Sequence, residues 1–318
     1  LLRAFVTGSA LFATATLLTA AITPQASAAE PISFSSPHIV AHLNLAAGQQ
    51  PENITLEPDG SADLTFAFTG QIARVSPNGK VRILGTVPAP PAGTVVPLLG
   101  HAFVGGIVRA PGGILYFVYT AGTADLTGVW KLTPGGSPHR IAALPADALP
   151  NGLAMDDGFL YTADSNKDTV WRVPLRGGTA VAWSSAAELV APAGGFGPNG
   201  LKVHHGAVWV TNTARGTLLR IPITDDGAAG RVRTVATGLG AIDDFTFIGE
   251  GDTALVAANP ASMVELVRPD GTHIVVLTMA DGLQNPTSLA WRGHTVYVAS
   301  AAYFTATDPN LLTVHIGR

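Results

Sequence analysis

One short stretch recurs along the chain and constrains everything else in it. Pro150-Asn151-Gly152-Leu153-Ala154-Met155 returns as Pro198-Asn199-Gly200-Leu201-Lys202-Val203. Each copy leads into a tight polar turn, an apolar run rich in aromatics, a polar loop and a second apolar run. With the apolar residues held in register, weaker copies stand at Pro51-Glu52-Asn53-Ile54, Val104-Gly105-Gly106-Ile107, Ile242-Asp243-Asp244-Phe245 and Pro286-Thr287-Ser288-Leu289. Their second positions, Glu52, Gly105, Asn151, Asn199, Asp243 and Thr287, recur every 44 to 53 residues. That period belongs to propellers and solenoids, whose units cannot bury an apolar face alone and must stack on their neighbours. Each unit reads as four short strands, so the expectation is an all-β, six-bladed β-propeller with four-stranded blades.

Composition agrees. Apolar residues make up 47% of the chain and charged residues 13%, Gly and Pro are scattered, and no helical period is sustained, a pattern of many short strands and many turns. Residues 29–318 fit one large domain. Only four lysines occur, Lys80, Lys131, Lys167 and Lys202, and the net charge is -4; without a basic stripe, nucleic acid is excluded as a partner. Cysteine is absent, so neither disulfides nor a thiolate metal site can hold the fold.

Before the first repeat, Leu1 to Glu30 carries Arg3, an apolar run from Leu11 to Ile22, and Ala26-Ser27-Ala28. This reads as a secretory signal, residues 1–28, cleaved after Ala28. The alternative of a membrane anchor is weaker, because the run is broken by Thr and falls short of the roughly 20 residues that a span needs. The expectation is an exported protein with no stable membrane insertion after cleavage.

The two ends of the chain complement each other. Ile39 to Leu43 is a strand with no repeat of its own, and the last repeat stops after Leu311 to Ile316, one strand short. The N-terminal strand is therefore expected to complete the last blade as its outermost strand, closing the ring without exposed sheet edges.

In a propeller, the residue that opens each innermost strand faces the central channel. Glu52, Asn151, Asn199 and Asp243 would there present oxygens around one axis, with Gly105 and Thr287 leaving space. Two carboxylates and two amide carbonyls suit a hard cation, Ca2+ before Mg2+ because the ligands come from separate blades, and zinc least of all. Asn-Gly pairs also serve simply as turns, and that reading stays open beside the first. Against it, two unpaired acids in a channel would be costly without a cation. Among candidate bases, His101 lies in the long apolar lead-in to the second repeat, on the expected functional face, and Asp243 itself could serve. His204, His205 and His294 lie in hairpins on the opposite face, where solvent would surround them. Asp164 is expected to fix its own loop by bonds to backbone.

Asn151-Gly152-Leu153, Tyr161-Thr162-Ala163-Asp164-Ser165 and Pro198-Asn199-Gly200-Leu201 together resemble the six-bladed propellers of the senescence-marker-protein, gluconolactonase and luciferin-regenerating family, with the paraoxonases and diisopropyl fluorophosphatase as wider relatives. The resemblance implies a central calcium on Glu52, Asn151, Asn199 and Asp243, with Asp244 as a further candidate, and calcium-dependent hydrolysis of a lactone, ester or phosphotriester. The chain departs from the family at Gly105, where relatives often place a polar substrate-binding residue, and it lacks a counterpart of the sugar-binding arginine of the gluconolactonases. A less polar small-molecule substrate is the expectation. Two alternatives remain open: a binding module with structural calcium, and a lyase or condensing enzyme on the same fold.

Overall fold

The computed structural model describes residues 32–317; the secretory signal expected over residues 1–28 lies outside them. Apart from short 3-10 turns, the regular structure is all strand. Strand β1 (Ser33–His42) is followed by blade 1: β2 (Pro51–Leu56), β3 (Ala62–Phe66), β4 (Gln71–Val75) and β5 (Val81–Thr86). Blade 2 comprises β6 (Phe103–Ala110), β7 (Ile114–Thr120), β8 (Gly128–Leu132) and β9 (His139–Ala143). Blade 3 comprises β10 (Pro150–Asp156), β11 (Phe159–Asp164), β12 (Thr169–Pro174) and β13 (Val181–Ser184). Blade 4 comprises β14 (Pro198–His204), β15 (Ala207–Asn212), β16 (Thr217–Pro222) and β17 (Arg233–Ala236). Blade 5 comprises β18 (Ile242–Phe247), β19 (Ala254–Ala258), β20 (Met263–Val267) and β21 (His273–Leu277), and blade 6 has β22 (Pro286–Arg292), β23 (Thr295–Ser300) and β24 (Asn310–Gly317).

Every blade is an antiparallel four-stranded sheet in chain order except the last, whose order is β22-β23-β24-β1. The first strand of the domain therefore closes the ring, with Ile39 opposite Leu312 and His42 opposite Asn310. This is the six-bladed β-propeller that the repeats imply.

The core is divided among the seams between blades. Along β15, Val208 and Val210 join Tyr161 and Val170 of blade 3, while Ala207 and Trp209 join Phe245 and Val256 of blade 5. Side chains of a strand alternate between faces, and here both faces are covered, which is why the strands read as nearly continuous apolar runs. Each fully buried Val, Leu or Phe contributes roughly 1.5–3 kcal/mol, and a cysteine-free chain depends on these seams. The hairpins use left-handed residues: Asp157 and Gly158 are both at positive φ, the pattern of a two-residue type I′ turn.

Candidate functional site

Each innermost strand is irregular at its opening. Register with the second strand slips between Pro51 and Asn53, Val104 and Ile107, Pro150 and Leu153, Pro198 and Leu201, Ile242 and Phe245, and Pro286 and Ser288. A bulge places two residues against one and re-aims a side chain. At these slips stand the repeat positions singled out in the sequence.

The openings are held from the neighbouring blade. Thr65 Oγ1 donates to the Gly105 carbonyl at 2.7 Å, Ser165 Oγ to Pro198 at 2.7 Å, Thr211 Oγ1 to Asp243 at 2.6 Å and Thr287 Oγ1 to Pro51 at 2.9 Å. Thr120 Oγ1 reaches the Pro150 carbonyl and Asn259 Nδ2 the Pro286 carbonyl, so the link is made at every junction of the ring. Thr287 is thereby a bracket rather than a cavity-lining residue.

The glycines of the repeat have a separate cause. A Cβ on Gly152 would lie 2.4 Å from the Asn199 carbonyl oxygen, and one on Gly106 2.5 Å from the Leu153 nitrogen. Gly152 and Gly200 sit inside strands β10 and β14. Close approach of adjacent innermost strands requires them; the turn reading of Asn-Gly does not apply.

Glu52, Asn151, Asn199 and Asp243 converge on one cavity of about 500 Å³, which His101 also lines. All four are buried, and the cavity is lined by no Lys or Arg side chain. Burial pushes the Glu52 carboxyl up to about 7, an effect that the Tyr303 hydroxyl opposes and the Asp244 charge reinforces. Asp243 is raised well above the usual carboxylate range by burial first, then by Glu52 and Asp244, with Asn199 and Lys202 only partly compensating. Asn199 donates through Nδ2 to Thr213 Oγ1 at 2.9 Å, while its buried Oδ1 has no hydrogen-bond partner.

That donor set fits a hard divalent cation. It is all oxygen, it has two acids in need of a positive charge, and one of its carbonyl oxygens is unpaired.

Asp244 behaves differently. Its position corresponds to Gly106, Gly152 and Gly200, so its side chain points at the next innermost strand instead of into the cavity. It accepts hydrogen bonds from Lys202 Nζ at 2.7 and 2.5 Å, from Asn53 Nδ2 at 3.0 Å and from Ser288 Oγ at 2.6 Å. Asn53 and Ser288 occupy the same repeat position in blades 1 and 6. Asp244 is thus the anchor of a buried polar plug, and it is not among the residues that line the cavity.

His101 is exposed, with its ring edge-on to Phe68 at 4.5 Å; among the described residues no group hydrogen-bonds to it. Asp164 accepts from the Leu149, Asn166 and Lys167 backbone and from Trp171 Nε1, as its loop-fixing reading requires. Of the hairpin histidines, His204 differs from expectation: its ring is stacked on Phe247 at 4.0 Å.

Tyr303 was not legible as a site residue. It comes from the long β23–β24 loop and donates its hydroxyl to Glu52 Oε2. Burial and the Glu52 and Asp243 charges raise this phenol far above its ordinary value, so it stays a donor. Phe68 lies 5.5 Å from Tyr303 and 6.2 Å from Phe103; with Leu99, Phe196, Pro260 and Phe304 these rings form an apolar wall.

Comparison with solved structures finds the same fold at low identity. A catalytically inactive virginiamycin B lyase from Staphylococcus aureus with quinupristin is 14% identical at TM-score 0.58, over 90% of this chain and 99% of its own. A candidate gluconolactonase is 16% identical at TM-score 0.63, over 88% and 92%. A luciferin-regenerating enzyme is 14% identical at TM-score 0.61, over 88% and 95%. The structural neighbours thus include members of the group that the repeats resemble. No curated protein matches the chain. Residues 53–245, from the first blade's opening to the fifth's, match the family described as "Repeat of unknown function (DUF6923)", and the chain belongs to that family.

Proposed function

We propose that this propeller is a calcium-dependent hydrolase acting on an uncharged, largely apolar lactone, ester or phosphotriester. The observation that carries the reading is the pairing of two buried, cation-less carboxylates, Glu52 and Asp243, with the unpartnered Asn199 Oδ1 in one cavity. Glu52, Asp243, Asn151 and Asn199 would hold the ion. When bound, calcium supplies a Lewis acid for a substrate carbonyl or phosphoryl oxygen.

The remaining work falls to the chain. Thr213 accepts the Asn199 amide N–H and so helps to hold that side chain at the cavity. Tyr303 orients the Glu52 carboxylate. The wall of Phe68, Phe103, Phe196 and Phe304 receives the apolar part of the substrate and excludes water, while the lack of a cationic side chain disfavours acidic substrates. His101, at the rim, or Asp243 would take the proton from attacking water. We read the protein as exported, on the strength of residues 1–28.

A non-catalytic binding module is the second reading, and the free, exposed imidazole of His101 favours it, because a working base is ordinarily oriented by a partner. A lyase shares the fold-level support and no more. The test is a panel of apolar lactones, aryl esters and phosphotriesters assayed with calcium and with chelator. Calcium-dependent turnover of one class is expected. Saturable binding of panel compounds without turnover in calcium would favour the binding module.

A further inference from the structure

On the face opposite the cavity, the β14–β15 hairpin of blade 4 meets the β18–β19 turn of blade 5. Two imidazoles and a carboxylate converge there. His204 Nε2 is 3.2 Å and His205 Nδ1 2.9 Å from the same oxygen, Asp252 Oδ1, and the three atoms all lie within 4.8 Å of one another. The Gly251 carbonyl oxygen is a fourth donor atom, 3.1 Å from His204 Nε2.

The cluster is held in place from both blades. The His204 ring lies on Phe247 of blade 5, at 4.0 Å and 15°. His205 is fixed beside it, ring centroids 3.8 Å apart, by a turn in which His205 and Gly206 both have positive φ.

We propose that His204, His205 and Asp252 form a binding site for a divalent transition metal of the zinc class, completed by the Gly251 carbonyl or by water. Ligand atoms at the corners of a zinc tetrahedron lie about 3.4 Å apart for bonds of about 2.1 Å. The observed separations of 2.9 and 3.2 Å need an outward shift of a few tenths of an ångström, which the partly exposed His205 and Asp252 can make. Without an ion, His204 Nε2 and His205 Nδ1 share the Asp252 and Gly251 oxygens as hydrogen-bond acceptors, with the two rings in contact. With one, both nitrogens present lone pairs.

The two sites are chemically complementary: imidazole nitrogen selects zinc-class ions where the oxygen-only cavity selects calcium. Because its ligands come from adjacent blades, an ion here would clip blade 4 to blade 5 in a chain that has no cysteine to do so.

The test is a calorimetric titration of zinc chloride into the full chain, free of affinity histidines, with calcium saturating throughout. One zinc per chain with micromolar Kd is expected, and zinc at 100 times Kd raises Tm by about 5 °C. His205→Asn, chosen because Asn tolerates the positive φ, and Asp252→Asn each weaken zinc at least tenfold, while Glu52→Gln leaves it unchanged. Three results overturn the proposal: no saturable zinc binding, an affinity that His205→Asn and Asp252→Asn leave untouched, or zinc binding lost in Glu52→Gln, which would put the ion in the cavity.

Discussion

Asp243 and Asp244 are neighbours in sequence, both buried, and in opposite circumstances. Asp244 has a cation, Lys202, and two neutral donors, Asn53 and Ser288. Asp243 shares its cavity with a second carboxylate, Glu52, and with no cationic side chain. A charge that is fully met by the protein is part of the scaffold, whereas a charge that the protein leaves unmet keeps its proton or waits for a ligand. One layer of the channel is finished; the layer above it is poised.

The largest expected effect is at the unfinished layer. Asp243→Asn and Glu52→Gln should each cut calcium-dependent turnover at least a thousandfold, about 4 kcal/mol of lost transition-state stabilisation, and weaken calcium about a hundredfold or more, while far-UV spectra stay native. Asp244→Asn should leave calcium affinity within a few-fold. If calorimetry shows Asp244→Asn losing calcium as completely as Asp243→Asn, the contrast between the two layers is wrong.

The next effect is at the finished layer, and it is one of stability. Lys202→Met leaves Asp244 buried without its cation, at a cost of about 3 kcal/mol, read as a lowered denaturant midpoint. Lys202→Met combined with Asp244→Asn should recover part of that loss, since the second change removes the stranded charge. Equal losses in the single and double variants would mean that the ammonium does not compensate Asp244.

How much of this could be read from the sequence differs between the same two layers. The ring, its closure by the first strand and the convergence of Glu52, Asn151, Asn199 and Asp243 follow from a repeat whose register is set by apolar seams, and a repeat is visible in a sequence. The side of the strand on which Asp244 lies was not visible, because it depends on the bulge at each opening. Comparison with Gly106, Gly152 and Gly200 was the available signal: where three blades admit no Cβ, a side chain in a fourth must point at a neighbouring strand. Tyr303 and Phe304 were illegible for a different reason. They come from the β23–β24 loop, which is longer and less regular than its counterparts in the other blades, and only an aromatic pair in a long loop on the functional face hinted at them.

A smaller effect concerns pH in the metal-free protein. Glu52 titrates near 7 in the fold and near 4.5 when unfolded, so between those values the native state holds the extra proton. Stability then falls as pH rises through that window. Between pH 5 and pH 8 this single group accounts for about 2 kcal/mol. Chelated protein should therefore melt at a lower temperature at pH 8 than at pH 5, calcium should abolish most of the difference, and Glu52→Gln should reduce it, leaving the part that the raised Asp243 contributes. A chelated melting temperature that rises over this range would contradict the unmet charge at Glu52.

The finest test separates the Glu52 carboxylate from its orienting partner. The Tyr303 hydroxyl donates to Glu52 and lowers its pKa, so Tyr303→Phe should raise that pKa further. A lost hydrogen bond to a carboxylate is worth about 1.5 kcal/mol, or about one pH unit. Protons and calcium compete for the same oxygens, so the pH at which calcium binding is half lost should move up by about one unit. Affinity should be nearly unchanged at pH 8.5 and up to tenfold weaker at pH 6.5. A uniform loss at both values would instead mean that the phenol shapes the cavity without tuning the acid, which would join Tyr303 to the aromatic wall of Phe68 and Phe103 and leave Glu52 tuned by burial and its fellow acids alone.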